Sequence, residues 1–338
     1  MSLGRHTLRN FRKEKAGADN VPREPDLHYH HAQLTGLKPG TTYYFVMASG
    51  DAISEEFHFR TAPAGDEPLK MIFGGDSRTG VDDRRQMNRL IAKMAAEDDS
   101  VLAFAHGGDY VGNGNNLDQW KTWLKDHELT TTATGRMIPL IPARGNHEGK
   151  GPLYDQVMAY PGGEEKNYFV TQLSPEIRFI TLNTETDPDG PQKVFLEQAL
   201  VQAGGTRWRV AQYHKPLYPA VKGPYKGSEN WVQLFEKYNL ALACEADGHC
   251  IKRTVPIRNE KLDPTGVVYI GEGGLGVPPR APKTDRWYVQ SPGMAGSGHH
   301  VQLLSFTTSH LTIDVVTIDG NVIDTHKIEA RDVGGVPQ

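Results

Sequence analysis

Six side chains that can donate to a metal ion, Asp76, Asp109, Asn146, His214, Asp247 and His249, stand just beyond short apolar runs. They lie in the segments Gly74-Gly75-Asp76, Gly107-Gly108-Asp109, Gly145-Asn146-His147-Glu148, Tyr213-His214 and Asp247-Gly248-His249. The successive steps from Asp76 to Asp109, Asn146, His214 and His249 are 33, 37, 68 and 35 residues, so the donors arrive by strand-and-crossover units. Carboxylate and amide oxygens are hard donors and imidazole nitrogen is a borderline one, a mixture that suits two ions held about 3.5–4 Å apart. Two such cations lower the pKa of a water they share and neutralise charge building on phosphoryl oxygens, which is chemistry for cleaving a phosphoester. Each segment alone occurs by chance; the order in which they come carries the signal.

From Leu69 onward the chain alternates short apolar runs with helical periodicity, the pattern of an α/β layer fold. Strands are expected over residues 70–74, 101–105, 138–143, 177–182, 207–212, 240–244 and 267–270. Helices are expected over 82–97, with Met87, Leu90, Ile91 and Met94 at helical spacing, and over 116–126, with Leu117, Trp120 and Leu124 on one face as core. Two further helices are expected over 194–202 and 231–238. Residues 301–306, 311–318 and 322–328 read as a closing meander with a turn at Asp319-Gly320-Asn321. Ahead of all this, residues 28–61 alternate apolar and polar groups around turn signals, as a small antiparallel sheet does. Ala62-Pro63-Ala64-Gly65-Asp66-Glu67-Pro68 then reads as a linker.

A chain of 338 residues accommodates about two domains and at least one full core. With 37 basic against 41 acidic side chains and a net charge of −4, no basic excess recommends nucleic acid or an anionic membrane as a partner. No run of apolar residues reaches the length of a membrane-spanning helix, about 18 or more. The 36 glycines and 22 prolines point to many tight turns. Cys244 and Cys250 are too few for a disulfide framework and are expected as buried thiols beside the site, with a local disulfide or a thiolate ligand as the lesser alternatives. Residues 1–17 are polar and basic without the apolar stretch of a signal peptide, and Met1-Ser2-Leu3 reads as an expression scar, so the native start is expected to be missing.

The donor order, each member after an apolar strand, resembles the calcineurin-like metallophosphoesterase superfamily. The stretch from Leu34 to Tyr44 resembles the corner and following strand of a fibronectin type III-like module. With the closing meander, it narrows the likeness to the purple acid phosphatase group over about His28 to Ile328. The resemblance implies a four-layer α/β/β/α sandwich at residues 66–338 as the catalytic domain. A partial fibronectin III-like β module at 1–65 would precede it, truncated because such modules need about 100 residues. It implies that Asp76 binds metal 1, Asp109 bridges, Asn146 and His214 bind metal 2, and His249, matching the last histidine of Gly-His-x-His, completes metal 1. His147 would face the phosphate, stabilising the transition state or helping to protonate the leaving oxygen. Glu148 would orient His147.

The chain departs from the family pattern at Gly112, Asp247 and Arg78. Gly112 stands where the family has the tyrosine whose bond to ferric iron gives the purple colour, so a colourless or weakly coloured protein is expected. Asp247 replaces the first histidine of Gly-His-x-His; it can still ligate metal 2, and its charge favours Mn, Fe or Zn without choosing among them. Arg78 stands where the wider superfamily often has a histidine, which leaves metal 1 with Asp76, Asp109 and His249 and makes it the weaker site. Arg78 either grips phosphate oxygens in a two-pronged way or pairs with a nearby carboxylate. His299 and His300 are not expected as ligands, His106 is expected to hydrogen-bond behind the ligands, and His28, His30 and His31 to lie at the surface. The loop from Gly271 to Gly276 lacks the Lys-Ser/Thr ending of a nucleotide loop and resembles a tight Gly-Gly-x-Gly turn common near the family's site.

The resemblance therefore implies a dinuclear metal-dependent phosphoester hydrolase, an acid phosphatase-like phosphomonoesterase in which a metal-bound hydroxide attacks phosphorus. It would need two divalent or trivalent ions (Mn, Fe or Zn), take a small phosphoester and release phosphate, with no nucleic-acid or membrane partner. A phosphodiesterase acting on nucleotide-like substrates is one alternative, because the basic and aromatic residues of 213–218 and 222–226 either line a wall for a bulky anion or form a solvated loop. A non-catalytic metal- or phosphate-binding homologue is the other, motivated by Gly112 and Asp247. The resemblance also implies an extracytoplasmic protein, secreted or periplasmic.

Overall fold

Leu69–Gly74 is the strand from which the architecture is most easily built, because Met71 and Phe73 enter one apolar cluster and Ile72 another. This period-two alternation, apolar on both faces, requires a layer above and a layer below. The computed structural model describes residues 11–15, 28–158, 166–226 and 229–331. The readings made for residues 1–10 and 16–17, and for the side chains of His28 and His30, lie outside the described residues.

Leu69–Gly74 belongs to a six-stranded sheet in the order Val322–Glu329, His310–Thr317, His300–Phe306, Leu69–Gly74, Val101–His106, Leu140–Pro142. The last three strands are parallel, and the carboxyl-terminal meander joins them antiparallel. A seven-stranded sheet runs Phe169–Ser174, Ile177–Thr181, Trp208–Gln212, Leu242–Glu245, Val268–Gly271, Ile251–Arg253, Met294–Gly296. Its four strands from Ile177–Thr181 to Val268–Gly271 are parallel.

The sheets face each other across one apolar layer in which Met71, Phe73, Ala105 and Leu304 meet Phe179, Val210, Leu242 and Ile270. Full burial of such side chains is worth about 1.5–3 kcal/mol each. Helix Val81–Glu97 lays Met87, Leu90 and Ile91 on the outer face of the first sheet, against Ile72 and Phe104. Helices Pro191–Val201 and Glu229–Lys237 lay Leu196, Leu200, Trp231 and Phe235 on the outer face of the second. The result is the four-layer α/β/β/α sandwich. Among the described residues no helix is long and apolar enough to cross a membrane.

Helix Leu117–His127 corrects one expectation. Trp120 is buried as expected, but Leu124 is 40% exposed and Trp123 takes the inner position. The buried set Leu117, Trp120, Trp123 and Asp126 follows steps of three, and Trp123 is drawn in by donating its indole N–H to Ser77 Oγ at 2.9 Å. Strands Phe169–Ser174, Ile251–Arg253 and Met294–Gly296 were not foreseen, because their pairing depends on strands distant in sequence. In the amino-terminal part, antiparallel pairing occurs as separate ladders, Phe11–Lys15 with His28–Ala32, Thr42–Phe45 with Phe57–Arg60, and Ala48–Ser49 with Ala52–Ile53. The hairpin at Phe57–Arg60 is pinned to the sandwich where His58 N–H donates to Gly135 O at 3.0 Å and Met137 N–H to His58 O at 2.8 Å.

Candidate metal centre

Each candidate donor stands two to four residues beyond the carboxyl end of a parallel strand, where open α/β sheets place their ligands. Leu69–Gly74, Val101–His106 and Leu140–Pro142 deliver Asp76, Asp109 and Asn146 from one sheet; Trp208–Gln212 and Leu242–Glu245 deliver His214, Asp247 and His249 from the other. The turns are laced together by backbone bonds, Asp76 N–H to Gly108 O at 3.0 Å, Gly107 N–H to Gly74 O at 2.7 Å and Ala246 N–H to His214 O at 2.9 Å.

Four of these donors have left-handed backbone: Asp76 (φ 59°), Asp109 (61°), Asp247 (68°) and His249 (62°). That conformation costs a residue other than glycine about 1–3 kcal/mol and is concentrated at functional sites. It turns each side chain sharply off its strand and into the space between the sheets' ends. Gly273 is required for the same reason, since a Cβ there would collide with Asp76 Oδ2, which places the glycine-rich loop against the site.

The donors form two overlapping groups. Around His214 Nε2 gather Asn146 Oδ1 at 3.1 Å, Asp109 Oδ1 at 3.3 Å and Asp247 Oδ1 at 3.5 Å. His249 Nε2 lies 3.2 Å from Asp76 Oδ1, and one ligand atom each from Asp76, Asp109 and His214 lie within 4.8 Å of one another. All three of these residues are buried. Arg78 Nε lies 3.2 Å from Asp109 Oδ2. His147, with its side chain 32% exposed, bonds Gly112 O through Nδ1 at 2.8 Å and holds Nε2 3.8 Å from Asp109 Oδ2.

This arrangement fits cations. His214 Nδ1 lies 2.8 Å from Gly107 O, an acceptor, so Nδ1 carries hydrogen and Nε2 of the neutral ring is a lone pair facing three oxygens. Only a positive charge satisfies that cluster. Burial works against charging His214, yet Asp109, Asp247 and Asp76 push its pKa well above the ordinary value. Asp76 Oδ1 and His249 Nε2 are buried without a hydrogen-bond partner, and such atoms are rare in the absence of a ligand.

The supporting residues differ from the expectation in one instructive place. Glu148 does not orient His147: its carboxylate accepts the backbone N–H groups of Asp109 at 2.9 Å, Tyr110 at 2.8 Å and Gly145 at 2.8 Å. A chain reversal with three converging N–H groups needs a fully buried carboxylate, and Glu148 supplies it. His106 hydrogen-bonds behind the ligands, accepting from Gly108 N–H at Nδ1 (3.2 Å) and reaching Ser77 Oγ through Nε2 (2.9 Å). His300 bonds Gly298 O and His299 bonds Gly274 O. Cys244 and Cys250 are free, buried thiols.

Two features escaped the sequence reading. Lys252, wholly buried, bridges Glu245 and Glu272, with 3.0 Å to Glu272 Oε1. Those carboxylates in turn accept Leu217 N–H and Ala220 N–H, fixing the segment that follows His214. Lys222, from that same segment, lies 2.5 Å from Asp247 Oδ1. Neither had a signal in the sequence, where Lys252 stands beside Arg253 and reads as a solvent-facing charge.

Residues 6–61 match the family model for the purple acid phosphatase N-terminal domain. Purple acid phosphatase 13 of Arabidopsis thaliana is 24% identical over 317 residues, covering 78% of this chain and 56% of that protein. Purple acid phosphatase 15 of the same plant is 26% identical over 290 residues, covering 72% and 53%. The chain thus spans about half the length of the curated relatives it matches. The structure of a purple acid phosphatase from yellow lupin (Lupinus luteus) seeds has a TM-score of 0.75 to it at 20% identity, covering 89% of this chain and 62% of that one, a likeness of fold. The chain is thus similar to purple acid phosphatases in its amino-terminal family model, in distant relatives that align with most of its length and in its four-layer fold.

Proposed function

We propose that the chain is a two-metal phosphoester hydrolase acting as a phosphomonoesterase on small phosphoesters, with residues 66–338 as its catalytic domain and 1–65 as an accessory β module. The observation that carries this reading is the convergence of six donors from two sheets into two overlapping groups of carboxylate, amide and imidazole atoms. Asp76, Asp109 and His249 would hold one ion, and Asp109, Asn146, His214 and Asp247 the other, with Asp109 shared. Two ions so held supply Lewis acidity to the phosphoryl oxygens and make hydroxide available near neutral pH.

The chain's own groups then have definite tasks. Arg78, its guanidinium beside Asp109, is placed to meet phosphate oxygens and to offset the charge of the carboxylates. His147 keeps Nδ1 engaged with Gly112 O, so Nε2, the nitrogen turned toward Asp109, is the one that would exchange a proton with the leaving oxygen, and it can donate only from the doubly protonated ring. Gly112 offers no phenolate, and iron-loaded protein is expected to show no phenolate charge-transfer colour. We place the whole protein outside the cytoplasm, as the family resemblance implies.

The test is hydrolysis of p-nitrophenyl phosphate and bis(p-nitrophenyl) phosphate by protein loaded separately with Mn, Zn and Fe, beside Asp109→Asn. Turnover of the monoester that Asp109→Asn abolishes is the expected result. A faster diester rate would replace the monoesterase assignment. Metal binding with no turnover would leave a non-catalytic homologue.

A further inference from the structure

The oxygen of Asp247 that faces the ligand group already has a cation on it. Lys222 Nζ sits 2.5 Å from Asp247 Oδ1, and that same oxygen lies 3.5 Å from His214 Nε2, the atom around which Asn146 and Asp109 also gather. An ion held jointly by His214 and Asp247 must either take this oxygen from the ammonium or share it at close range. Two positive charges sharing one carboxylate oxygen repel by several kcal/mol even at an effective dielectric of about 20.

Lys222 is delivered to this position by design of its segment rather than by a loose surface contact. Arg286 donates to Lys222 O at 2.6 Å, Ala220 N–H donates to Glu272 Oε1, and Lys283 N–H donates to Ala220 O at 2.7 Å. The root of the side chain is therefore fixed, while the side chain itself is 41% exposed and has water to move into. The charges also match. A carboxylate at position 247 adds one negative charge relative to a neutral imidazole, and the ammonium of Lys222 adds one positive.

We propose that Lys222 is a built-in competitor for the second metal ion: its ammonium occupies Asp247 until that ion displaces it, so the two ions bind with unequal affinity. The proposal rests on the two-metal reading above and deepens it. The group formed by Asp76 and His249, which Lys222 does not touch, is on this proposal the one that fills first, the reverse of the order expected from Arg78 alone.

Isothermal titration of the chelator-stripped full chain with Mn(II), with bound metal counted by elemental analysis, tests this without recourse to activity. Lys222→Met removes the ammonium and keeps the apolar stem; Lys222→Arg keeps a cation. The wild type is expected to bind one Mn(II) tightly and a second at least about tenfold more weakly, a gap of ~1.4 kcal/mol. Lys222→Met is expected to tighten the second Kd about tenfold and leave the first within about twofold, with Lys222→Arg resembling the wild type. A second Kd unchanged in Lys222→Met overturns the proposal, and a weakened one does so by showing that Lys222 holds Asp247 in place as a ligand. If neither wild type nor Lys222→Met takes up any ion, the two-metal reading falls and the proposal with it. Two ions bound with equal affinity by the wild type would spare that reading and sink the competitor alone.

Discussion

Replacing Glu148 with glutamine preserves the shape of the side chain and removes the charge on which the Asp109 turn depends. Glu148 Oε2 accepts Asp109 N–H and Gly145 N–H, and Oε1 accepts Tyr110 N–H. A glutamine places its oxygen at one of these positions and its NH2 group at the other. In the better orientation it keeps the two bonds at Oε2, now to a neutral acceptor, and points N–H at the N–H of Tyr110. A buried donor left without an acceptor costs about 1–3 kcal/mol, and losing charge assistance from two bonds removes roughly 1 kcal/mol each. Glu148→Gln is therefore expected to lower unfolding stability by about 3–5 kcal/mol, with Asp109 displaced enough to weaken metal binding roughly 10–100-fold. Burial, with the charge of Asp109 added, raises the Glu148 carboxyl to about 7. The comparison thus belongs at a pH about one unit higher, where the carboxylate is charged. Urea unfolding followed by tryptophan fluorescence, then Mn(II) titration, reads both effects. A variant whose stability lies within about 1 kcal/mol of the wild type and whose metal affinity is unchanged would refute the assignment of Glu148 as the clamp of this turn.

His127 gives the chain an acid-labile element: burial pushes its pKa down to about 4 from an ordinary 6.5. The unfolded chain takes up this proton first, so stability is fully present above about pH 6.5 and falls by roughly 3 kcal/mol as pH drops through about 4. His127→Phe, which keeps the stack on Trp123 (4.8 Å), should flatten that part of a urea-midpoint-versus-pH curve, and an unaltered slope would show that other groups govern it. Lys252→Met strands two buried carboxylates and is expected to lose about 3–5 kcal/mol; combining it with Glu245→Gln and Glu272→Gln should recover part of the loss. No recovery in the triple variant would mean that the lysine acts through packing alone.

Much of this molecule can be read along the chain, because it depends on neighbours in sequence. Apolar runs such as 69–74 and 101–106 with glycine and a polar donor after them, and the spacing of Met87, Leu90 and Ile91, are local patterns that backbone geometry converts directly into strand, turn and helix. The order of Asp76, Asp109, Asn146, His214, Asp247 and His249 along the chain belongs to the same level. What the sequence left open depends on atoms that meet only after the sheets pack. Trp123 rather than Leu124 turns inward because Ser77, 46 residues away, offers its hydroxyl. Glu148 binds Asp109 rather than the adjacent His147 because the buried turn presents N–H groups that no nearer acceptor reaches. Lys222 finds Asp247, and Lys252 finds Glu272, across segments whose pairing is decided by which charges share a low-dielectric space. Periodicity is a property of consecutive residues, whereas the pairing of buried charge is a property of the folded interior, and so the scaffold was legible in advance while the electrostatics of its site were decided by the tertiary structure.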